Sequence, residues 1–285
     1  MGRKLFCELS PLTYKISLEK GILLRKIKDS LSKEKFSKEK REEKLPYIIY
    51  KHNSLIRRKL GNVDMQLQEN KATNLALSAP KITGVIIKPG ETFSLWQLVG
   101  RCSAKDGYKE GLTISSGETS SGIGGGMCQL SNLIHWMVLH TDLTITEHHH
   151  HDQIDMFPDF KRVIPFGTGT SISYNYLDYR FKNNTDLTYQ LVIYVTKEYL
   201  RGELRADQRQ KNKYHISAEE IYFSKEKDGN VYRNGKVYRE KIDRETGNVV
   251  DKELIKVNHA KVCYDTNHLE IVDLTKKRCK KTKKQ

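Results

Sequence analysis

One stretch constrains this chain more than any other: Gly122-Ile123-Gly124-Gly125-Gly126-Met127-Cys128-Gln129-Leu130-Ser131-Asn132, a glycine run that opens directly into a periodic apolar segment. Glycine has no Cβ, so three in a row let the backbone turn tightly and approach a ligand with no side chain in the way. Over residues 127–139, Leu130, Leu133, Ile134, Met137 and Val138 recur at helical spacing and give a wide apolar face. The pattern predicts a glycine turn feeding a helix, with Cys128 in its first turn. Unpaired amides and the positive end of the helix dipole favour anions there. A thiol so placed is expected to have a lowered pKa and to act as a nucleophile. Gly124, Gly125, Gly126 and the free amides would then hold an oxyanion or a carboxylate. Gln129 is positioned to donate an amide proton to the same charge, and Ser131 lies on the Cys128 face. His135 sits about 10 Å along the helix by rise alone, too far for direct proton transfer to Cys128, and reads as an interior histidine. The glycine order fits neither a dinucleotide fingerprint nor a phosphate loop, since the final glycine and a Gly-Lys-Ser/Thr are missing.

A second segment carries chemistry: Glu147-His148-His149-His150-His151-Asp152. In an extended chain alternate residues share a side, which pairs His149 with His151 and His148 with His150. Either pair can supply a base near neutral pH or ligands to a metal.

Around these segments the chain reads as α+β: a central mixed domain containing the glycine-rich loop and its helix, plus a small C-terminal β-hairpin module. Residues 1–45 form a basic amphipathic helical segment. Leu23, Ile27 and Leu31 recur on one face of it, which predicts packing of that face against the main domain, with a membrane-surface role as the alternative. The central domain spans 46–210. It includes a strand near residues 47–50, a helix over 62–80 stopped by Pro80, and strands at 85–87, 171–174, 179–181 and 189–195. The module at 211–272 carries Asn234-Gly235 between alternating strands, which predicts a hairpin turn there, and a further turn at 243–248. Residues 273–285 are lysine-rich and read as a disordered tail.

The net charge of +15 concentrates outside the apolar centre, at residues 25–44 and 276–284, and suits an anionic surface or polymer. No zinc-knuckle or aromatic RNP pattern marks a nucleic-acid binder. No run of 18 apolar residues predicts a membrane-spanning helix, and no apolar run follows the first residues as a signal peptide would require. Five scattered cysteines without CxxC spacing indicate neither a disulfide framework nor a cysteine zinc site, and favour a reducing, cytoplasmic setting. No motif calls for a cofactor.

Taken together the motifs resemble the VanW family. The matching text runs from Lys88-Pro89-Gly90-Glu91-Thr92-Phe93-Ser94 through the glycine turn to Asn132. It continues over Thr144-Ile145-Thr146-Glu147 with His149 and His151, and over Leu177-Asp178-Tyr179-Arg180-Phe181-Lys182-Asn183-Asn184-Thr185. The resemblance implies a Gram-positive protein accessory to glycopeptide resistance or cell-wall metabolism, with a small peptide or peptidoglycan precursor as its partner. Within it His148 stands where the family usually has arginine, and Gly169 where it commonly has an acid, which leaves Asp178 as the group to orient a histidine. The leading expectation is a cysteine-dependent acyl- or amide-transfer enzyme, with Cys128 as nucleophile, His149 or His151 as base and Asp178 as orienter. A non-catalytic peptide- or carboxylate-binding module is the second reading, and a metal protein using His149, His151 and Cys128 the third.

Overall fold

The computed structural model describes residues 5–58, 64–115, 118–150, 153–156, 158–159, 164–174 and 176–275. His151 and the lysine-rich end from 276 onward lie outside them. The chain divides into two compact units, residues 1–150 with 169–213, and residues 151–168 with 214–285.

Among the described residues the first unit contains four α-helices: α1 (Pro11–Leu31), α2 (Met65–Ile82), α3 (Leu95–Val99) and α4 (Cys128–Val138). Ser10 caps α1 by accepting from the Thr13 amide, followed by a proline at the first helical turn where its missing N–H costs nothing. α2 runs two residues past Pro80, because a proline in the last turn deletes a single hydrogen bond. One four-stranded sheet orders Lys35–Phe36, Glu91–Ser94, Arg180–Lys182 and Thr144–Glu147; a second orders Tyr47–Leu55, Tyr199–Ala206, Tyr189–Val195 and Ile86–Ile87. Phe93 and Phe181 face each other across the first sheet with their rings stacked 4.7 Å apart. The core joins Leu75, Ala79 and Ile82 of α2, Leu130, Leu133, Ile134 and Met137 of α4, and the fully buried Tyr189 and Leu191. Burial of this kind stabilises by about 1.5–3 kcal/mol per large side chain, which fixes α4 and therefore the turn that precedes it.

Three sequence expectations need correction in this unit and the next. Leu23, Ile27 and Leu31 of α1 face outward, 59%, 46% and 80% exposed, whereas Ile22 and Asp29 are the buried residues of that helix. The segment 171–174 forms no strand and contributes only the bridge of Ser173 to Leu177. In the second unit a five-stranded sheet orders Ile271–Asp273, Asn212–Lys225, Val231–Asp243, Val249–Val262 and Ile154–Asp155. Asn234-Gly235 does not turn the chain: both residues lie inside Val231–Asp243, paired with His259 and Asn258. The turn falls earlier, where Glu226 accepts from Gly229 and donates to Asn230 while Asp228 accepts the Asn230 amide. The second expected turn is present, with Asp243 accepting from the amides of Glu245, Thr246 and Gly247.

Candidate functional site

The hairpin of Glu110–Ser115 and Glu118–Ile123 delivers the chain to the glycine turn. Gly124 and Gly126 adopt φ of +77° and +89°, left-handed values that disfavour any residue with a Cβ. The places the missing side chains would take are filled by the protein itself. A Cβ at Gly125 would lie 2.1 Å from the Gly111 carbonyl oxygen, one at Gly126 2.2 Å from Cγ of Lys71, and one at Gly124 2.6 Å from Cβ of Cys102. Asn74 of α2 clamps the turn, its Nδ2 donating to the carbonyls of Gly125 and Lys109 at 2.9 Å each. The amides of Gly126 and Met127 donate to no backbone carbonyl among the described residues.

Lys71 lies beneath this turn, 8% exposed, with Nζ donating to Gln68 Oε1 at 2.7 Å. Burial, then the charges of Arg58 and Arg57, push its amine down to about 8. Sequence reading passed over Lys71, since a single lysine in an amphipathic helix carries no signal of burial.

Cys128 does begin α4, half-buried, but its environment is the opposite of the expected one. Burial pushes the thiol up, and the Ile172 amide that donates to the sulfur only partly offsets this. Gln129 is also committed, its Nε2 donating to Ser54 Oγ at 2.8 Å and to the Leu55 carbonyl at 2.9 Å. Ser131 donates to the Cys128 carbonyl at 3.1 Å and meets Thr170 Oγ1, while Asn132 Oδ1 accepts from the Thr170 amide and hydroxyl at 2.6 and 2.8 Å. Ser131 and Asn132 therefore hold the segment 169–172 across the start of α4.

The same segment reaches the histidines. Gly169 offers its carbonyl to His148 Nε2 at 3.0 Å, and the Ser171 amide donates to the His149 carbonyl at 2.7 Å. His148 packs at a tilt against His150 (ring centroids 3.9 Å) and against the fully buried His135 (4.1 Å), whose Nδ1 lies 3.0 Å from the Tyr179 hydroxyl. The expected pairing of His148 with His150 is present, and His135 joins them. His149 points elsewhere, its Nε2 3.0 Å from Glu147 Oε1. The hydrogen bonds that act on the Cys128 sulfur come from backbone, and among the described residues no set of three His, Cys, Asp or Glu side chains is arranged to hold a metal ion.

Asp178 orients no histidine. Its carboxylate accepts from Ser94 Oγ (2.5 Å), the amides of Trp96 (3.1 Å) and Tyr179 (2.8 Å), and Arg180 Nε (2.7 Å). Burial pushes this carboxyl up, and those donors act against the rise. Arg180 continues the network with two hydrogen bonds to Asp29 of α1, 2.8 and 2.5 Å long. Against the cost of its burial, Arg180 holds the Asp29 carboxyl below the usual range. Arg25 of α1 likewise grips Glu147, and that bond, with the Asp178 amide at 2.9 Å, holds Glu147 down in spite of burial. The polar cluster expected to serve catalysis thus includes a buried ionic lock on α1.

The family model for VanW like protein matches residues 70–205, a span that contains Lys71, the glycine turn, α4, the histidine run and Asp178. The chain is 37% identical over 223 residues to the Vancomycin B-type resistance protein VanW of Enterococcus faecalis (strain ATCC 700802 / V583), covering 78% of this chain and 80% of that one. The chain belongs to the VanW family. A shorter likeness, 33% over 115 residues, links this VanW-family chain to the uncharacterized protein YoaR of Bacillus subtilis (strain 168), covering 40% of this chain and 36% of that one. No solved structure matches.

Proposed function

We propose that this VanW-family chain serves vancomycin-type glycopeptide resistance as a binding module, gripping the carboxylate of a small peptide or cell-wall precursor at the glycine turn. The observation that carries the reading is the pair of amides at Gly126 and Met127 that donate to no backbone carbonyl among the described residues, set at the start of α4 with the buried Lys71 packed against Gly126. Two N–H groups, a helix dipole and a nearby cation form an anion site by backbone geometry alone. Arg57 and Arg58, near enough to depress Lys71, add positive potential. An arriving carboxylate would relieve that crowding.

Acyl transfer through Cys128 draws less support. Its thiol is pushed up, Ile172 occupies the sulfur, Gln129 is engaged by Ser54 and Leu55, and Asp178 is tied to Arg180. A cysteine nucleophile needs a base within hydrogen-bond reach.

The reading is tested by calorimetry with a short peptide bearing a free C-terminal carboxylate and with its C-terminal amide. The proposal expects the acid to bind at least tenfold more tightly, since each charge-assisted hydrogen bond to an amide is worth about 1.5–3 kcal/mol. Equal affinity for the two would refute it.

A further inference from the structure

The outward face of α1 is apolar and open to solvent. Leu12, Ile16, Leu23, Leu24, Ile27 and Leu31 are all exposed, Leu12 and Leu31 by 67% and 80%. At the pitch of an α-helix they fall within an arc of roughly 120° along 21 residues, or about 32 Å. This stripe is not a core face awaiting the rest of the fold. The opposite side of the helix is already seated, through Ile22 and the pairs of Asp29 with Arg180 and Arg25 with Glu147. A contiguous exposed apolar stripe on a rigidly held helix marks a contact surface.

Its borders indicate what it contacts. Lys15 and Lys26 line one side of the stripe, Lys28 the other, and Lys20 lies within it, all four exposed. The helix has two acids only, and both are neutralised within the protein, Glu19 by Arg101 and Asp29 by Arg180. A second copy of the helix would bring lysine against lysine with no free acid to pair them. An anionic lipid surface matches both features, taking the leucines and isoleucines into the acyl boundary and the lysines among its phosphates. No helix among the described residues is long and apolar enough to cross a membrane, so the contact is one of lying on the surface. Lys20 suits that arrangement, because its stem can lie along apolar surface while the ammonium reaches the headgroups.

We infer that α1 is an interfacial anchor that docks the protein on an anionic bilayer through the Leu12–Leu31 stripe. The test is co-sedimentation of the full chain with vesicles of phosphatidylglycerol and phosphatidylcholine against vesicles of phosphatidylcholine alone. The inference expects binding to the anionic vesicles, at least tenfold weaker binding to the neutral ones, and release as salt is raised. The double variant Leu23→Glu/Ile27→Glu should lose at least tenfold in partitioning with its thermal unfolding unchanged, since both residues face solvent. Lys15→Gln/Lys26→Gln should lose about tenfold or more on anionic vesicles alone. Failure to bind anionic vesicles, or full binding by the Leu23→Glu/Ile27→Glu variant, would overturn the inference. So would conversion of a dimer to a monomer by that variant in sedimentation equilibrium, which would make a second copy the occupant.

Discussion

Lys71 is the residue whose chemistry the fold has altered most plainly. An ammonium pushed down from 10.5 to about 8 is disfavoured in the folded protein while it stays protonated. The cost is fully present below about pH 8 and fades as pH rises toward 10.5, amounting to roughly 3 kcal/mol. Lys71→Met should therefore raise stability at pH 7 by about 1–3 kcal/mol and remove part of the gain that the native protein shows between pH 8 and 10.5. Thermal unfolding of both proteins at pH 7 and pH 10 measures it. At the turn above, Gly125→Ala drives a Cβ into the Gly111 backbone, which cannot give way as a side-chain end can, and should cost roughly 3 kcal/mol or more. Gly90→Ala, at a positive φ that Gly125 does not share but with open space around it, should cost only about 1–2 kcal/mol. Cys128, its thiol raised by burial, should alkylate far more slowly at pH 7.5 than the exposed Cys263, as mass spectrometry of labelled peptides would reveal. The glycines, Cys128 and the histidine run were legible from local pattern. The state of the sulfur was not, because it depends on Ile172, which sequence places 44 positions away.

Among the elements, α1 shows where periodicity stops informing. Spacing predicts an amphipathic helix in this region; it runs Pro11–Leu31, Lys35–Phe36 form a strand instead, the apolar stripe faces outward and the seated side is largely ionic. The deciding partner, Arg180, lies 151 residues from Asp29. Asn234-Gly235 illustrates the same limit: a favourable turn pair stays inside a strand because pairing along Val231–Asp243 is longer than any local preference. Strands such as Ile86–Ile87 and Tyr189–Val195, and the helix α4, were legible because burial on a dense core leaves an unbroken apolar pattern. Asp29→Asn leaves Arg180 half-neutralised in a buried position and should cost about 2–4 kcal/mol. Proteolysis or hydrogen exchange should report loss of protection across α1. Because the Asp29 and Glu147 carboxyls are held below their ordinary values of 3.8 and 4.5, the stabilisation they provide is present above those values. It is lost as pH falls through the lowered ones. Protection of α1 should thus decline below about pH 4 in the native protein, and less steeply in Asp29→Asn.

At the scale of the molecule, the residues matched by the VanW model include the turn, the buried lysine and the packed histidines, whereas Cys128, His149 and Asp178, expected to act together in catalysis, are each engaged by other partners. Binding and catalysis make opposite demands on Cys128 and Lys71. The most direct measurement is the affinity of the same free-carboxylate peptide for the native chain, Cys128→Ser and Lys71→Met. A binding module predicts unchanged affinity in Cys128→Ser and at least a tenfold loss in Lys71→Met. Full affinity in Lys71→Met, or processing of the peptide by the native chain that vanishes in a folded Cys128→Ser, would contradict it.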